Sequence, residues 1–204
     1  MSELLFKGVF ARYASPDACD YYWKKLYKAY SSRRRYYHNL NHLERLYAYL
    51  NPVKKDIEDW EVLQMTLFFH DYVYNPLRKD NELKSATYAV KALNETTMNS
   101  DRIMRCHKQI VGTKDHEFSS DNDTNFFNDA DMAVLGSSKE HYLAYTAGVR
   151  KEYGMYPDLM YNAGRKKVLK GFLEMPRIYK TAYFYDKFES TARENLIEEL
   201  RKYS

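Results

Sequence analysis

The sequence predicts an all-α fold, a single-domain helical bundle spanning residues 1–204. Three observations carry that expectation. Only 7 glycines and 5 prolines punctuate the 204 residues. Apolar residues recur at helical spacing, while strand-like alternation is nearly absent. Hydrophobic residues make up 45% of the chain, enough to fill one core, with no internal repeat, linker or shift in composition along it.

Helices are expected at roughly 16–31, 39–51, 56–71, 80–96, 99–112, 124–135, 138–153, 158–174 and 186–202. The first opens on Ser15 followed by Pro16, an N-cap hydroxyl and a proline suited to the first turn. The second opens on Asn39 in "LNHLERLYAYL", where Leu43, Leu46, Tyr47 and Leu50 make an apolar face. The third ends in the most apolar run of the chain, "VLQMTLFFHDY". The stretch "GTKDHEFSSDNDTN" (112–125) is the longest polar loop, and it precedes the helix containing "NDADMAVLG". Ser137 or Ser138 caps "KEHYLAYTAGVRKEY".

Composition narrows the function. Of the 204 residues 21 are tyrosine, and tyrosine fills a core while keeping a polar tip, so a mean hydropathy of -0.72 does not imply disorder. A net charge of +4 with both signs interspersed permits anionic substrates but falls short of a nucleic-acid footprint. The basic run "SSRRRYYH" (31–38) reads as a solvated helix start. Cys19 and Cys106 form no CxxC pair, which argues against a zinc–thiolate site or a disulfide scaffold. Cys106 and His107 are adjacent and diverge on a helix, so core packing is expected of Cys106 rather than nucleophilic chemistry. No segment approaches 18 consecutive apolar residues. The expectation is a soluble protein of a reducing cytoplasm with no membrane partner.

The six histidines are His38, His42, His70, His107, His116 and His141. His38 and His42 stand four apart, on one face of a helix that contains both. His70 and Asp71 stand back to back at the end of an apolar helix, and Asp129 and Asp131 enter a later one. Taken singly, each is an ordinary core, surface or capping residue. Together they form H…HD…D, and imidazole and carboxylate groups from three helices can converge on one divalent ion. Adjacent His and Asp cannot both point inward from a regular helix, but at a helix terminus they can.

These residues, with "RYYHNLNHLERL" (35–46), "FFHDYVYNP" (68–76), "DNELKSATYA" (80–89), "IVGTKDH" (110–116), "NDADMAVLG" (128–136), "YLAYTAGVRKEY" (142–153), "GRKKVLKGFL" (164–173) and "TARENLIEEL" (191–200), resemble the HD-domain superfamily of metal-dependent phosphohydrolases. The likeness is to a branch of small single-domain members and covers most of the chain. It implies His42, His70, Asp71 and Asp131 as metal ligands, with His42 preferred to His38 and Asp131 to Asp129. His38 and Asp129 then orient the ligands by hydrogen bonds, and His116 occupies a place where some members ligate a second metal. Glu82, with Ser85 a turn later, becomes the candidate to position or deprotonate water, as an alternative to a surface glutamate beside Lys84. Arg35, Arg150, Arg165 and Arg193 recur beside the matching segments as candidate phosphate clamps, each of which can instead pair with a structural carboxylate.

The expected activity is hydrolysis of a phosphate mono- or diester, of a nucleotide above all, by water activated on a divalent ion. Mixed nitrogen and oxygen ligands suit Mn, Fe, Co, Ni or Zn better than Mg. Alternatives are an HD-fold di-iron oxygenase using extra histidines, and a non-catalytic nucleotide-binding module. Nucleic-acid binding through the 33–35 arginines is a less expected third.

Overall fold

The structure, a computed structural model, describes residues 1–203. Its elements are α1 (Ser2–Phe10), α2 (Pro16–Tyr30), α3 (Leu40–Leu50), α4 (Trp60–Phe69), α5 (Asn81–Leu93), α6 (Ser100–Gly112), α7 (Asn122–Met132), α8 (Lys139–Glu152), α9 (Asp158–Glu174) and α10 (Ala182–Arg201). Two 3₁₀ turns, Asn51–Asp56 and Ala133–Gly136, follow α3 and α7, and no strand occurs among the described residues. The all-α expectation holds. No helix among the described residues is long and apolar enough to cross a membrane. The chain falls into two compact units, Met1–Asn128 and Asp129–Ser204, with the division inside α7.

The first unit is organised around α4. Val62, Leu63, Met65, Thr66, Leu67, Phe68 and Phe69 are all buried, and a helix apolar on every side belongs in the middle of a core. It packs against α1, α3, α5 and α6. Asp59 caps it by accepting from the Val62 N–H at 3.1 Å. The expected caps of α2 and α3 are present: Ser15 Oγ accepts from the Ala18 N–H, and Asn39 Oδ1 from the Asn41 N–H.

Sequence reading did not anticipate α1. Its nine residues show barely two helical turns of pattern, and so short a helix owes its stability to packing rather than propensity. Phe6, Val9 and Phe10 form one buried stripe. The Phe6 ring lies 5.2 Å from Phe68 edge-on, 4.8 Å from Phe10 and 5.9 Å from Trp23, so α1 covers the end of α4. Cys106 is buried, as expected. Burial pushes its thiol up to about 12, against a weaker opposing contact with the Thr66 hydroxyl, so it remains protonated at neutral pH.

In the second unit, the 3₁₀ turn at 133–136 lies against α10. Gly136 is required there, because a Cβ would stand 2.5 Å from the Phe188 carbonyl oxygen. Asn195 donates to the Leu135 and Ser137 carbonyls. Ser138 occupies the N-cap position of α8 without a side-chain bond, and Ser137 donates instead to the Val134 carbonyl at 2.7 Å. The serine cap expected from the sequence is therefore not made.

Arg165, buried in α9, grips Glu199 of α10 through two 2.8 Å bonds, and the Tyr142 hydroxyl donates to the same carboxylate. Burial alone would raise the Glu199 carboxyl, but the bonds from Arg165 and Tyr142 outweigh it and hold the group below the usual range. A depressed carboxyl contributes stability that is present above its unfolded pKa and lost as pH falls through the folded one. Glu199→Gln strands the buried guanidinium and is expected to cost about 3–5 kcal/mol in urea unfolding at neutral pH. The gap between the two proteins should narrow as the pH is lowered through the carboxylate range.

Candidate metal centre

The chain leaves α4 at His70, whose N–H still bonds to the Thr66 carbonyl at 2.9 Å. Beyond it the path tightens, with the Tyr72 N–H on the Phe69 carbonyl. Carbonyls at a helix C-terminus lack intrahelical partners; here the Phe68 carbonyl accepts from the Tyr30 hydroxyl and the Phe69 carbonyl from the Tyr72 N–H, and an arginine meets the carbonyls just beyond. Arg35 donates to the Asp71 carbonyl at 2.7 Å, the Tyr72 carbonyl at 2.8 Å and the His38 carbonyl at 3.2 Å. Its guanidinium also lies 4.8 Å from the Tyr30 ring and 5.6 Å from the Tyr74 ring. The start of α5 latches the next segment. Asn81 exchanges two hydrogen bonds with the backbone of Asn75, Ser85 does the same with Val73, and Tyr72 stacks on Tyr88 at 3.7 Å.

This exit path turns His70 and Asp71 toward the first turn of α3. His70 Nε2 lies 3.3 Å from His42 Nε2 and 3.3 Å from Asp71 Oδ2, and His42 Nε2 lies 4.0 Å from Asp71 Oδ2. Both imidazoles are buried. His70 Nδ1 lies 2.9 Å from the Leu67 carbonyl, which can only accept, so the proton sits on Nδ1 and Nε2 presents its lone pair. That lone pair faces a carboxylate oxygen and a second imidazole nitrogen, and a proton or a cation must sit among the three. Nitrogen and oxygen ligands about 2.0–2.2 Å from one ion stand roughly 3–3.5 Å from each other, which is the spacing of the two shorter edges. A backbone carbonyl on the far nitrogen is also the usual way a ligating histidine is oriented.

Asp131 lies on the last turn of α7, an uninterrupted helix whose opening residues belong to the first unit. The Phe127 ring, one turn earlier on α7, lies 5.4 Å from the His70 ring. The donor set of two imidazoles with a carboxylate fits a divalent ion of the Mn to Zn series.

Asp129 does something else. Its two oxygens accept from the Lys180 and Thr181 N–H groups and the Thr181 hydroxyl, so it anchors the start of α10. Burial pushes its carboxyl up, and those same bonds oppose the shift. His38 is not part of the ligand group. Its ring lies 5.6 Å from His42 and packs on Tyr74 at 4.2 Å. His116 also lies outside the group, half-buried in the 113–121 loop with a left-handed φ of 49°. Glu82 stands half-buried in the first turn of α5, with no hydrogen-bonding or ionic partner among the described residues.

The arginines expected as phosphate clamps all engage acceptors within the protein. Arg35 holds the carbonyls described above, and residues 31–38 form an irregular turn rather than a helix start. Arg150 bonds to Asp158 and to the Tyr153 and Tyr156 carbonyls. Arg165 is committed to Glu199, and Arg193 to Glu189 and the Met175 carbonyl. The Arg35 clamp and the Asn81–Ser85 latch went unrecognised in the sequence. Their only local signals were an arginine before the first histidine and a polar i, i+4 pair after the doublet.

The two aspartates of α7 should separate experimentally. Asp131→Ala is expected to weaken Mn²⁺ or Co²⁺ binding at least about tenfold in calorimetric titration while leaving the melting temperature near that of the parent. Asp129→Ala should lower stability by roughly 2–4 kcal/mol, since it leaves buried N–H groups unpaired, and retain the ion. Arg35→Ala should weaken the ion about 10–100-fold with helical content unchanged, because it frees the backbone that carries Asp71.

Comparison of the chain with family models, curated proteins and solved structures gives no match, so the chemistry of this centre stands on its own side chains.

Proposed function

We propose that the protein is a metal-dependent phosphohydrolase of the HD type, acting on a phosphate mono- or diester of nucleotide character. The observation that carries this reading is the meeting of three electron-rich atoms, from His42, His70 and Asp71, with one imidazole locked by the Leu67 carbonyl so that its lone pair faces the others. Asp131, on the last turn of α7, is the second carboxylate that the sequence resemblance assigns to the ion.

A divalent ion held there would supply a water of lowered pKa and polarise a phosphoryl oxygen. The protein's own part is positional. His70 is held by Leu67, and Asp71 is held through the backbone that Arg35 grips. His42 is set by the first turn of α3, with the Tyr37 ring 5.1 Å away. Glu82 has a carboxylate that no protein group engages, which suits it to accept a proton from water, on the helix that latches the segment after the doublet. Arg35, Arg150 and Arg165 already engage acceptors within the protein, so the reading does not rest on them as phosphate clamps.

The test combines metal analysis of the purified protein with hydrolysis of p-nitrophenyl phosphate, bis(p-nitrophenyl) phosphate and a nucleotide panel in Mn²⁺, Co²⁺, Ni²⁺ and Zn²⁺. Asp71→Ala should lose both bound metal and turnover. Hydrolysis unchanged by that substitution would overturn the reading. Glu82→Gln should retain the metal and lower kcat by about 10²–10⁴-fold if it is the proton acceptor.

A further inference from the structure

The overall net charge of +4 conceals a strong local asymmetry. Between Tyr21 and Leu43 lie six of the 32 lysines and arginines and none of the 28 aspartates and glutamates, so the rest of the chain is net acidic. Arg35 is the one basic residue of this stretch turned inward. Lys24, Lys25 and Lys28 are exposed on α2, and Arg33 and Arg34 are exposed on the turn that follows it. Lys28, Arg33 and Arg34 pair with no carboxylate among the described residues. Three tyrosines of the stretch, Tyr21, Tyr27 and Tyr36, are each 53% exposed, well beyond what a tyrosine needs to wet its hydroxyl.

The strip has a direction. It runs along the outer face of α2 to the turn at 31–36, and that end is fastened to the metal centre. The Tyr30 hydroxyl donates to the Phe68 carbonyl at 3.1 Å, and Arg35, next to Arg34, grips the Asp71 carbonyl at 2.7 Å. Free cations that track a backbone, interleaved with exposed aromatic rings on which bases stack, are how sequence-tolerant proteins hold single strands. Tyrosine in place of exposed aliphatic side chains favours a base over a lipid surface.

We propose that this strip binds single-stranded nucleic acid, with phosphates on its lysines and arginines and bases stacked on Tyr27 and Tyr36, and delivers the strand toward the His42–His70–Asp71 group. Binding to the strip is independent of the hydrolase reading, and only the fate of the strand at the metal centre rests on it. The ligand chemistry is a phosphodiester strand with unpaired bases, as RNA or DNA.

The experiment is fluorescence anisotropy with labelled 15-nucleotide oligo-dT and oligo-U on the full chain. Both arms matter, since a preference for one names the source. Binding should weaken steeply with salt, with a log–log slope of about −2 to −4. The variant K24Q/K25Q/K28Q/R33Q/R34Q, all surface positions, should lose at least tenfold in affinity and flatten the slope. Tyr27→Ala with Tyr36→Ala should weaken binding several-fold and leave the slope unchanged. Asp71→Ala should bind the strand as the parent does; strand binding by the parent with no turnover of strand, nucleotide or p-nitrophenyl ester in any of the metals would remove the hydrolase reading and leave this one standing. Three results would overturn it: no binding at about 50 mM salt, parental affinity in the glutamine variant, or equal affinity for heparin together with no effect of the tyrosine substitutions.

Discussion

Arg35 holds the end of α4 in the shape on which the centre depends. A buried apolar helix that ran on regularly would send His70 and Asp71 about 100° apart, and only one of them could face His42. The helix must therefore stop, and a stop leaves carbonyls that need donors away from bulk water. The planar fork of Arg35 supplies them at Asp71 and Tyr72 and reaches the His38 carbonyl as well. A lysine offers a point charge and no fork, so the identity of this residue matters beyond its sign. The latch from Asn81 and Ser85 then fixes the segment beyond, so both sides of the doublet are tied down.

Four arginines of this chain engage acceptors within it. Arg35 satisfies carbonyls, Arg165 neutralises the buried Glu199, Arg193 closes the turn before α10, and Arg150 ties the start of α9. Each ended up where a planar, multiply donating cation satisfies several acceptors at once, which is the general use of arginine in protein interiors. Among the cations left to solvent, Lys24, Lys25, Lys28, Arg33 and Arg34 follow one another along α2 and the turn after it with no acidic residue between them.

The two aspartates of α7 show where local reasoning runs out. Positions 129 and 131 differ by about 200° around a helix, so the spacing alone says that they point to opposite sides. It does not say which side holds the histidines. Packing decides it for Asp129, which the Lys180–Thr181 segment takes. Asp131 was preferred in the sequence by resemblance.

What the amino-acid order determined by itself is what short-range physics sets. The helical periodicity, the caps at Ser15 and Asn39, the apolar run of α4 and its ending in a His-Asp doublet are all visible within a few residues of chain. Tertiary structure alone decided α1, whose Phe6 and Phe10 have no helical future without Trp23 and Phe68 to pack on. It also decided the role of every long arginine, because such a side chain sweeps a large volume and its partner is set by elements distant in sequence. Local interactions choose the elements, and the destination of a flexible charged side chain is chosen only when those elements meet.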